Sequence, residues 1–585
     1  MTRMQATVSV LLAASIAMTC ATQPTLAQAA DTSPADRHAQ VDAIFAPWSG
    51  NTTPGCAVGI SRDGTLEYAR GYGMSNLEYD TPITPKSIFY AASISKQFTA
   101  FSIGLLAQDG KLSLDDDIRR YVPEIPDYGN TITIAHLVHH TNGLREQGQL
   151  LNLAGWRGND LYNQADMLWA LTRQRGTNFD PGTEVVYGNS AYTLLAVIVQ
   201  RVSGKSLRSF ADERIFKPLG MADTHYHDDH TEIVQRRAAA YGSREGGGWR
   251  ISVPNIDYYG STGLFTTVGD LLKWEQNLVD ARLGGQALAS WMRTSGKLND
   301  GTRTQYGAGL RLAGYRGLRM VSHDGADGGY RTEATLFPDQ QLAIVALCNG
   351  STIAPTELTR KVADVYLRDR MTEAALLPEV KMPEVKMPEA EQSALAGVYW
   401  SPLTDEVVRM EWKDGALRQV GIPTALVPIG GGTFRPAGLP HAWRFIPPGA
   451  GAPLDAQPEL RIKDFWPTER VFARVVAPMP TATAMASFAG QYRSDETDMT
   501  YTVRIADGKL MLSWPRQYDI ALDSVGGDRF VGARGTVTFT RKASGMVDGL
   551  TISNRRLRRL RAERLTARDE PVMRTTAAAG KTTVW

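Results

Sequence analysis

The chain is poor in the features that mark several protein classes. Its 585 residues include only three cysteines, Cys20, Cys56 and Cys348. It is therefore not a small domain stapled by a disulfide framework. Neither sign of charge dominates. Lys+Arg number 63 against Asp+Glu 61, a formal net charge of +2, which excludes a polyanion binder that works by bulk charge. There is no low-complexity tract of any size, and past the N-terminus no run is apolar enough to span a bilayer. The run from Val8 to Ala21 is short for a membrane anchor. It follows Arg3 and precedes Ala27-Gln28-Ala29, the pattern of a secretory signal with an A-x-A cleavage site. Residues 1–29 are thus expected to be a signal peptide. The mature protein is expected to be periplasmic or secreted, without a stable membrane span.

What remains is ordinary globular composition, 43% hydrophobic and 21% charged, in a chain too long for one core. Residues 32–376 mix helical and strand patterns. Gly55 to Arg70 reads as two strands joined at Asp63-Gly64, and helical patterns fill the middle, among them Ile132 to His140 and Tyr192 to Val202. Leu318 to His323, Tyr330 to Phe337 and Leu342 to Cys348 then read as strands, followed by a helix from Ala354 to Tyr366. Strands at both ends and helices between predict an α+β domain with an antiparallel sheet built from both chain ends.

Residues 377–392 repeat Pro-Glu-Val-Lys-Met from Pro378 and from Pro383, with Pro388 after them. Proline at this spacing predicts a semi-rigid linker without regular helix. Beyond it the chain repeats itself. Ala396-Gly397-Val398-Tyr399 matches Ala489-Gly490-Gln491-Tyr492, and Asp414-Gly415-Ala416-Leu417 matches Asp507-Gly508-Lys509-Leu510, at the same offset. One offset across two separated matches indicates duplication. Short alternating runs predict a small antiparallel β-barrel in each unit, 393–476 and 487–566, with a disordered tail at 567–585. The basic run Asn554 to Arg564 is expected to be the last strand of the second barrel, showing its arginines to solvent rather than binding nucleic acid.

The chemistry concentrates at Ser93-Ile94-Ser95-Lys96. A Ser and a Lys three apart share one helix face. Ile94, Phe98, Phe101 and Leu105 recur at helical spacing, so Ser93 is expected to open a helix whose apolar face enters a core. A Lys96 buried there has its pKa lowered, which a neutral amine base needs. Alone, S-x-x-K also describes an N-cap. Two further motifs follow in order, Tyr187-Gly188-Asn189 and His323-Asp324-Gly325.

Together the three motifs resemble those of the penicillin-recognising serine hydrolases, a group that includes class C β-lactamases, DD-peptidases and D-aminopeptidases. Phe179-Asp180-Pro181-Gly182, the segment His136 to Leu144 and Ser261-Thr262-Gly263-Leu264 add to the likeness, which covers about residues 40 to 370. It implies a β-lactamase/transpeptidase-like fold and acyl transfer without a cofactor or metal. It also implies Ser93 as nucleophile, with Lys96 and Tyr187 sharing the proton work; which of the two is the base stays open. Asn189 would orient the substrate, and backbone N–H groups of Ser93 and Ala326 would hold the oxyanion. His323 would line the opposite wall, with Gly325 beside it as a substrate-binding position. A His there is no fixed cation, which argues against a clamp for a substrate carboxylate at that spot. The family fold pairs its first strand with its last, bringing Cys56 and Cys348 together as a candidate disulfide.

The two-barrel tail resembles that of D-aminopeptidases, in which a loop of the last barrel selects a free amino group. No specific match for that loop is present here. The resemblance therefore implies a D-amino-acid-directed peptidase or a small amide or ester hydrolase. The alternatives are a carboxypeptidase, β-lactamase or esterase of the same fold, or a sensor that acylates without turnover. The expected partner is a small peptide, amide or ester, with cell-wall peptide as one candidate. His225, His227 and His230 lie in a polar stretch and are not expected to bind metal.

Overall fold

The computed structural model describes residues 33–372, 387–422, 424–436, 441–448, 457–476 and 480–566. The expected signal peptide, most of the proline-rich segment and the 567–585 tail lie outside those residues.

The first unit begins with α1 (Pro34–Phe45), capped by Ser33, whose hydroxyl accepts the Asp36 N–H. β1 (Cys56–Arg62) and β2 (Thr65–Tyr72) form a hairpin. Its turn residues Asp63 and Gly64 have φ of 51° and 75°, as a two-residue type I′ turn requires. Helices fill the middle: α2 (Ser95–Gln108), α3 (Gln147–Leu153), α4 (Gln164–Thr172), α5 (Asn189–Ser203) and α6 (Val268–Asp280). Then come β3 (Arg311–Tyr315), β4 (Leu318–Asp327), β5 (Tyr330–Phe337), β6 (Leu342–Cys348) and α7 (Pro355–Leu367). The expected helix over Ile132 to His140 is only Ile134–Val138.

The sheet runs β3-β4-β5-β6-β1-β2, antiparallel throughout. The two chain ends thus meet at its centre. The central strands are buried on both faces, so β6 reads as an unbroken apolar run instead of alternating. On one side Val58, Ile60 and Ile344 meet Val41 of α1 and Leu358 and Val362 of α7. On the other, Ala57, Val345 and Leu347 join a core with α2, α5 and α6. Gly59 lets α6 close on β1, since a Cβ there would lie 2.9 Å from Leu272 and 3.1 Å from Val268.

Cys56 and Cys348 are register partners on β1 and β6, fully buried and joined as a disulfide. The bond closes a separation of 292 residues, which restricts the unfolded chain strongly. Replacing both cysteines by alanine is expected to lower stability by about 2–5 kcal/mol, read as a fall in Tm. The free-thiol count of denatured protein is expected to rise by two on adding reductant; an unchanged count refutes the bond.

Each repeat closes as an eight-stranded barrel. The first spans Gly397–Trp400 to Arg470–Arg474, its last two strands being β7 (Glu459–Lys463) and β8 (Arg470–Arg474). The second spans Gly490–Ser494 to its final strands β9 (Val547–Asn554) and β10 (Leu557–Arg564). The duplication is visible in detail. Gly397 and Gly490 both have φ of 154°, and an arginine, Arg474 or Arg564, packs over each. The linker differs from its expectation at one end. Glu389–Ser393 is a helix, because Pro388 stands just before it, where its missing N–H costs nothing.

The second barrel shares a core with the first unit: Leu150, Leu151 and Leu153 of α3 and Met167 and Ala170 of α4 pack with Tyr492, Tyr501 and Leu510. Its basic run is the last strand of that barrel, as expected, but faces water only in part: Arg559 is exposed, whereas its neighbour Arg558 turns inward. Arg558 is 6% exposed and pairs at 2.8 Å with Glu184, and the Arg555-Arg556 turn between β9 and β10 points at the first unit.

Candidate active site

Ser93 stands in a tight turn, Ala92–Ile94, that leads into α2 at Ser95. The preceding Ala92 has φ of 48°, a left-handed conformation costly for a residue with a Cβ. α2 itself is buried on every side from Ser95 to Leu106, not along one apolar face. Its polar residues bond inside the protein: Ser95 donates to the Ala92 carbonyl, and Gln97 accepts from the Trp274 indole at 2.7 Å.

Lys96 Nζ is fully buried and lies 3.1 Å from Ser93 Oγ, 2.9 Å from Asn189 Oδ1 and 2.6 Å from the Ser261 carbonyl. Two of these partners can only accept. A neutral amine gives them its two hydrogens and turns its lone pair to the Ser93 hydroxyl. Burial, aided by the Arg556 charge and opposed by Glu146, lowers its pKa to about 7. Tyr187 also bonds Ser93, and burial pushes its phenol well above the usual value. It therefore stays protonated near neutral pH. Lys96 Nζ is 4.9 Å from the centre of its ring.

Asn189 begins α5, and its N–H donates at 2.6 Å to Glu146, a carboxylate at the positive end of a helix. The third motif divides. The two-residue turn Gly328-Gly329 makes Asp327 and Tyr330 a hydrogen-bonded pair, so Ala326 directs its backbone groups away from β5. β3 stops opposite Ser322, leaving that edge open toward Ser93. Gly325 permits this approach: a Cβ there would sit 2.3 Å from the Ala91 carbonyl. Gly325 and His323 are both buried behind the wall instead of lining it. His323 Nδ1 lies 2.7 Å from the Asp324 carbonyl, so it carries the proton, and Nε2 accepts from the Tyr306 hydroxyl at 2.9 Å. Burial holds this imidazole well below its ordinary pKa, hence neutral.

The cleft over Ser93 has a volume of ≈ 250 Å³. Tyr187, Asn189 and Ala326 line it, and so do Arg311, Trp466, Arg555 and Arg556, which the motifs did not reveal. Arg311 lies on β3, a strand also missed, and pairs with Asp324 at 2.7 Å. Trp466 comes from the β7–β8 loop of the first barrel and stacks near Tyr187, with ring centres 6.3 Å apart. Arg555 and Arg556 come from the second barrel, so all three units build the site.

Away from the cleft, His225, His227 and Glu232 place ligating atoms within 4.8 Å of one another, and His230 is not among them. Arg208 holds both Glu232 oxygens, at 2.7 and 2.8 Å.

A serine bonded by a buried amine and by a phenol, under a cleft and beside an open strand edge, defines a serine hydrolase. The family model described as beta-lactamase matches residues 41–368, and the chain belongs to that family. A D-aminopeptidase from Gluconobacter oxydans is 26% identical over 479 residues, 80% of this chain and 85% of that protein. A D-aminopeptidase from Brucella anthropi is 30% identical over 301 residues, 51% of this chain and 56% of that protein. The structure of the octameric penicillin-binding protein homologue from Pyrococcus abyssi shares the fold, with a TM-score of 0.52 at 20% identity, covering 83% of this chain and 99% of that one.

Proposed function

We propose that this protein is an exported hydrolase that forms an acyl-enzyme on Ser93 and cleaves small peptides, amides or esters with a D-configured residue beside the scissile bond. The observation that carries the reading is the placement of Lys96 Nζ between two obligate acceptors, with its remaining direction on Ser93 Oγ. Ser93 attacks the carbonyl carbon as Lys96 takes its proton. The oxyanion is met by backbone N–H groups of Ser93 and Ala326 at the helix start and the open strand edge. Tyr187, still a phenol, passes a proton to the departing nitrogen or oxygen and recovers one from Lys96. Water then attacks the acyl-enzyme by the reverse route. Asn189, whose carbonyl is engaged by Lys96, keeps its amide N–H₂ for the substrate. The D-configuration is carried over from relatives named D-aminopeptidase. Export is supported by the signal-like N-terminus and by a buried disulfide, which persists in an oxidising compartment.

The test is labelling by a fluorophosphonate, with the adduct located by mass spectrometry, together with turnover of D-alanine p-nitroanilide and a short-chain nitrophenyl ester. An adduct on Ser93 with turnover of either substrate supports the reading. Turnover without a Ser93 adduct refutes it, and an adduct without turnover would make the protein an acylated sensor.

A further inference from the structure

We propose that Arg556, on the turn between the last two strands of the second barrel, binds a carboxylate of the substrate, and that the cleft selects anionic substrates over those with a free amine. This rests on Ser93 being the reacting centre and narrows what is brought to it.

The turn is firmly placed. It has two residues, since Asn554 pairs with Leu557. The Arg556 carbonyl accepts from the Glu146 N–H and from the Asn178 side chain, each at 3.0 Å. Arg558, just beyond, is clamped by Glu184 through both guanidinium nitrogens at 2.9 and 2.8 Å.

The charges at the cleft are uneven. Arg311 is matched by Asp324 at 2.7 Å, and Arg555 by Asp464 at 2.7 Å. Arg556 is matched by no carboxylate among the described residues. Its guanidinium lies 5.4 Å from the centre of the Tyr187 ring, beside the reacting groups, and its charge is felt at Lys96. A guanidinium held by its own backbone and lacking a counter-ion is suited to a carboxylate, which it meets with two parallel N–H donors. The same inventory disfavours an ammonium. Asp324 is the one carboxylate on the cleft wall among the described residues, and Arg311 already pairs with it. Architecture alone suggested a barrel loop that reads a free amine, and His323 argued against a carboxylate clamp. His323 is buried and neutral, and the barrel turn supplies the opposite charge.

The test is equilibrium binding to full-length Ser93→Ala protein, read by Trp466 fluorescence or calorimetry, with N-acetyl-D-alanine, N-acetyl-D-alaninamide and D-alaninamide. The acid is expected to bind about ten- to hundredfold more tightly than its amide, and the cationic D-alaninamide most weakly. Adding Arg556→Gln is expected to bring the acid-to-amide ratio near unity. Arg556→Lys, which keeps the charge but loses the fork, is expected to give an intermediate ratio and guards against a folding defect in the first variant. A ratio near unity with Arg556 present, or one unchanged by Arg556→Gln, overturns the proposal. Because these measurements use a protein that cannot acylate, they fail independently of the Ser93 labelling.

Discussion

Lys96→Met lowers kcat/KM by about three orders of magnitude without loss of fold, and Ser93→Ala lowers it at least as far. Both figures follow from geometry. Nζ lies 3.1 Å from Ser93 Oγ and, with a pKa of about 7, is partly neutral near pH 7. Methionine fills a similar volume and has no lone pair of comparable basicity. A buried amine with pKa about 7 also sets the pH profile. Below that pH Lys96 is an ammonium and cannot accept the serine proton; above it the amine is free. The value of kcat/KM therefore rises through about pH 7 to a plateau. Tyr187, whose phenol burial pushes upward, adds no falling limb near neutrality. Arg556→Gln moves the rising limb to higher pH, because removing a neighbouring cation eases protonation of Lys96. A profile that falls through pH 7 would mean that the ammonium form is the active one and would make Tyr187 the acylation base. The Tm of Lys96→Met is expected to stay near that of the parent, since relief of an amine kept from ionising by burial is offset by the Asn189 and Ser261 oxygens left without its hydrogens.

The catalytic triplet is legible in the chain because each part is local. Ser93 and Lys96 are one turn apart, and Tyr187 and Asn189 straddle the start of α5. The α+β sheet was legible for a similar reason: the strands at both ends are apolar enough to stand out. The remainder of the site is not local. Glu146, which fixes Asn189, is 43 residues from it. Trp466 sits in a loop that carries no pattern. The basic run from Asn554 to Arg564 was conspicuous, but charges on a strand ordinarily face solvent. Its inward placement depends on Glu184, 374 residues from Arg558, and on Asp464 in the other barrel. His323 shows the opposite error. Its motif position suggested a wall residue, while Tyr306, in a stretch with no motif, draws its ring into the core. The helix of Ser93 looks one-sided in the sequence because its polar residues Ser95, Gln97, Thr99 and Ser102 break the apolar pattern. Each bonds inside the protein, so all are buried.

Arg145→Met weakens the seat of the second barrel by about 3–5 kcal/mol. Arg145 and Glu496 form an ion pair with side chains 6% and 5% exposed. The same guanidinium donates to the Arg558 carbonyl at 3.2 and 3.0 Å. Removing the cation leaves the Glu496 carboxylate buried without a partner and the Arg558 carbonyl without donors. That is costly, whereas a pair replaced as a whole by apolar residues is often nearly neutral. The double variant Arg145→Met/Glu496→Leu is therefore expected to recover most of the loss. Thermal unfolding and limited proteolysis of the 2 × 2 set measure the coupling. A single variant as stable as the parent, or a double variant no better than the single, would refute the ion pair as the seat of the barrel. The consequence reaches the chemistry. The carbonyls of Arg556 and Arg558 are both held by the first unit, through Glu146 and Asn178 for one and Arg145 for the other. A barrel loosened at Arg145 lets the Arg556 turn drift from Tyr187. Arg145→Met is accordingly expected to reduce the preference for an acid over its amide, although Arg145 lies outside the cleft, and Glu496→Leu in the same chain is expected to restore it in part. Specificity in this enzyme then depends on how a duplicated barrel is docked as well as on the residues that react.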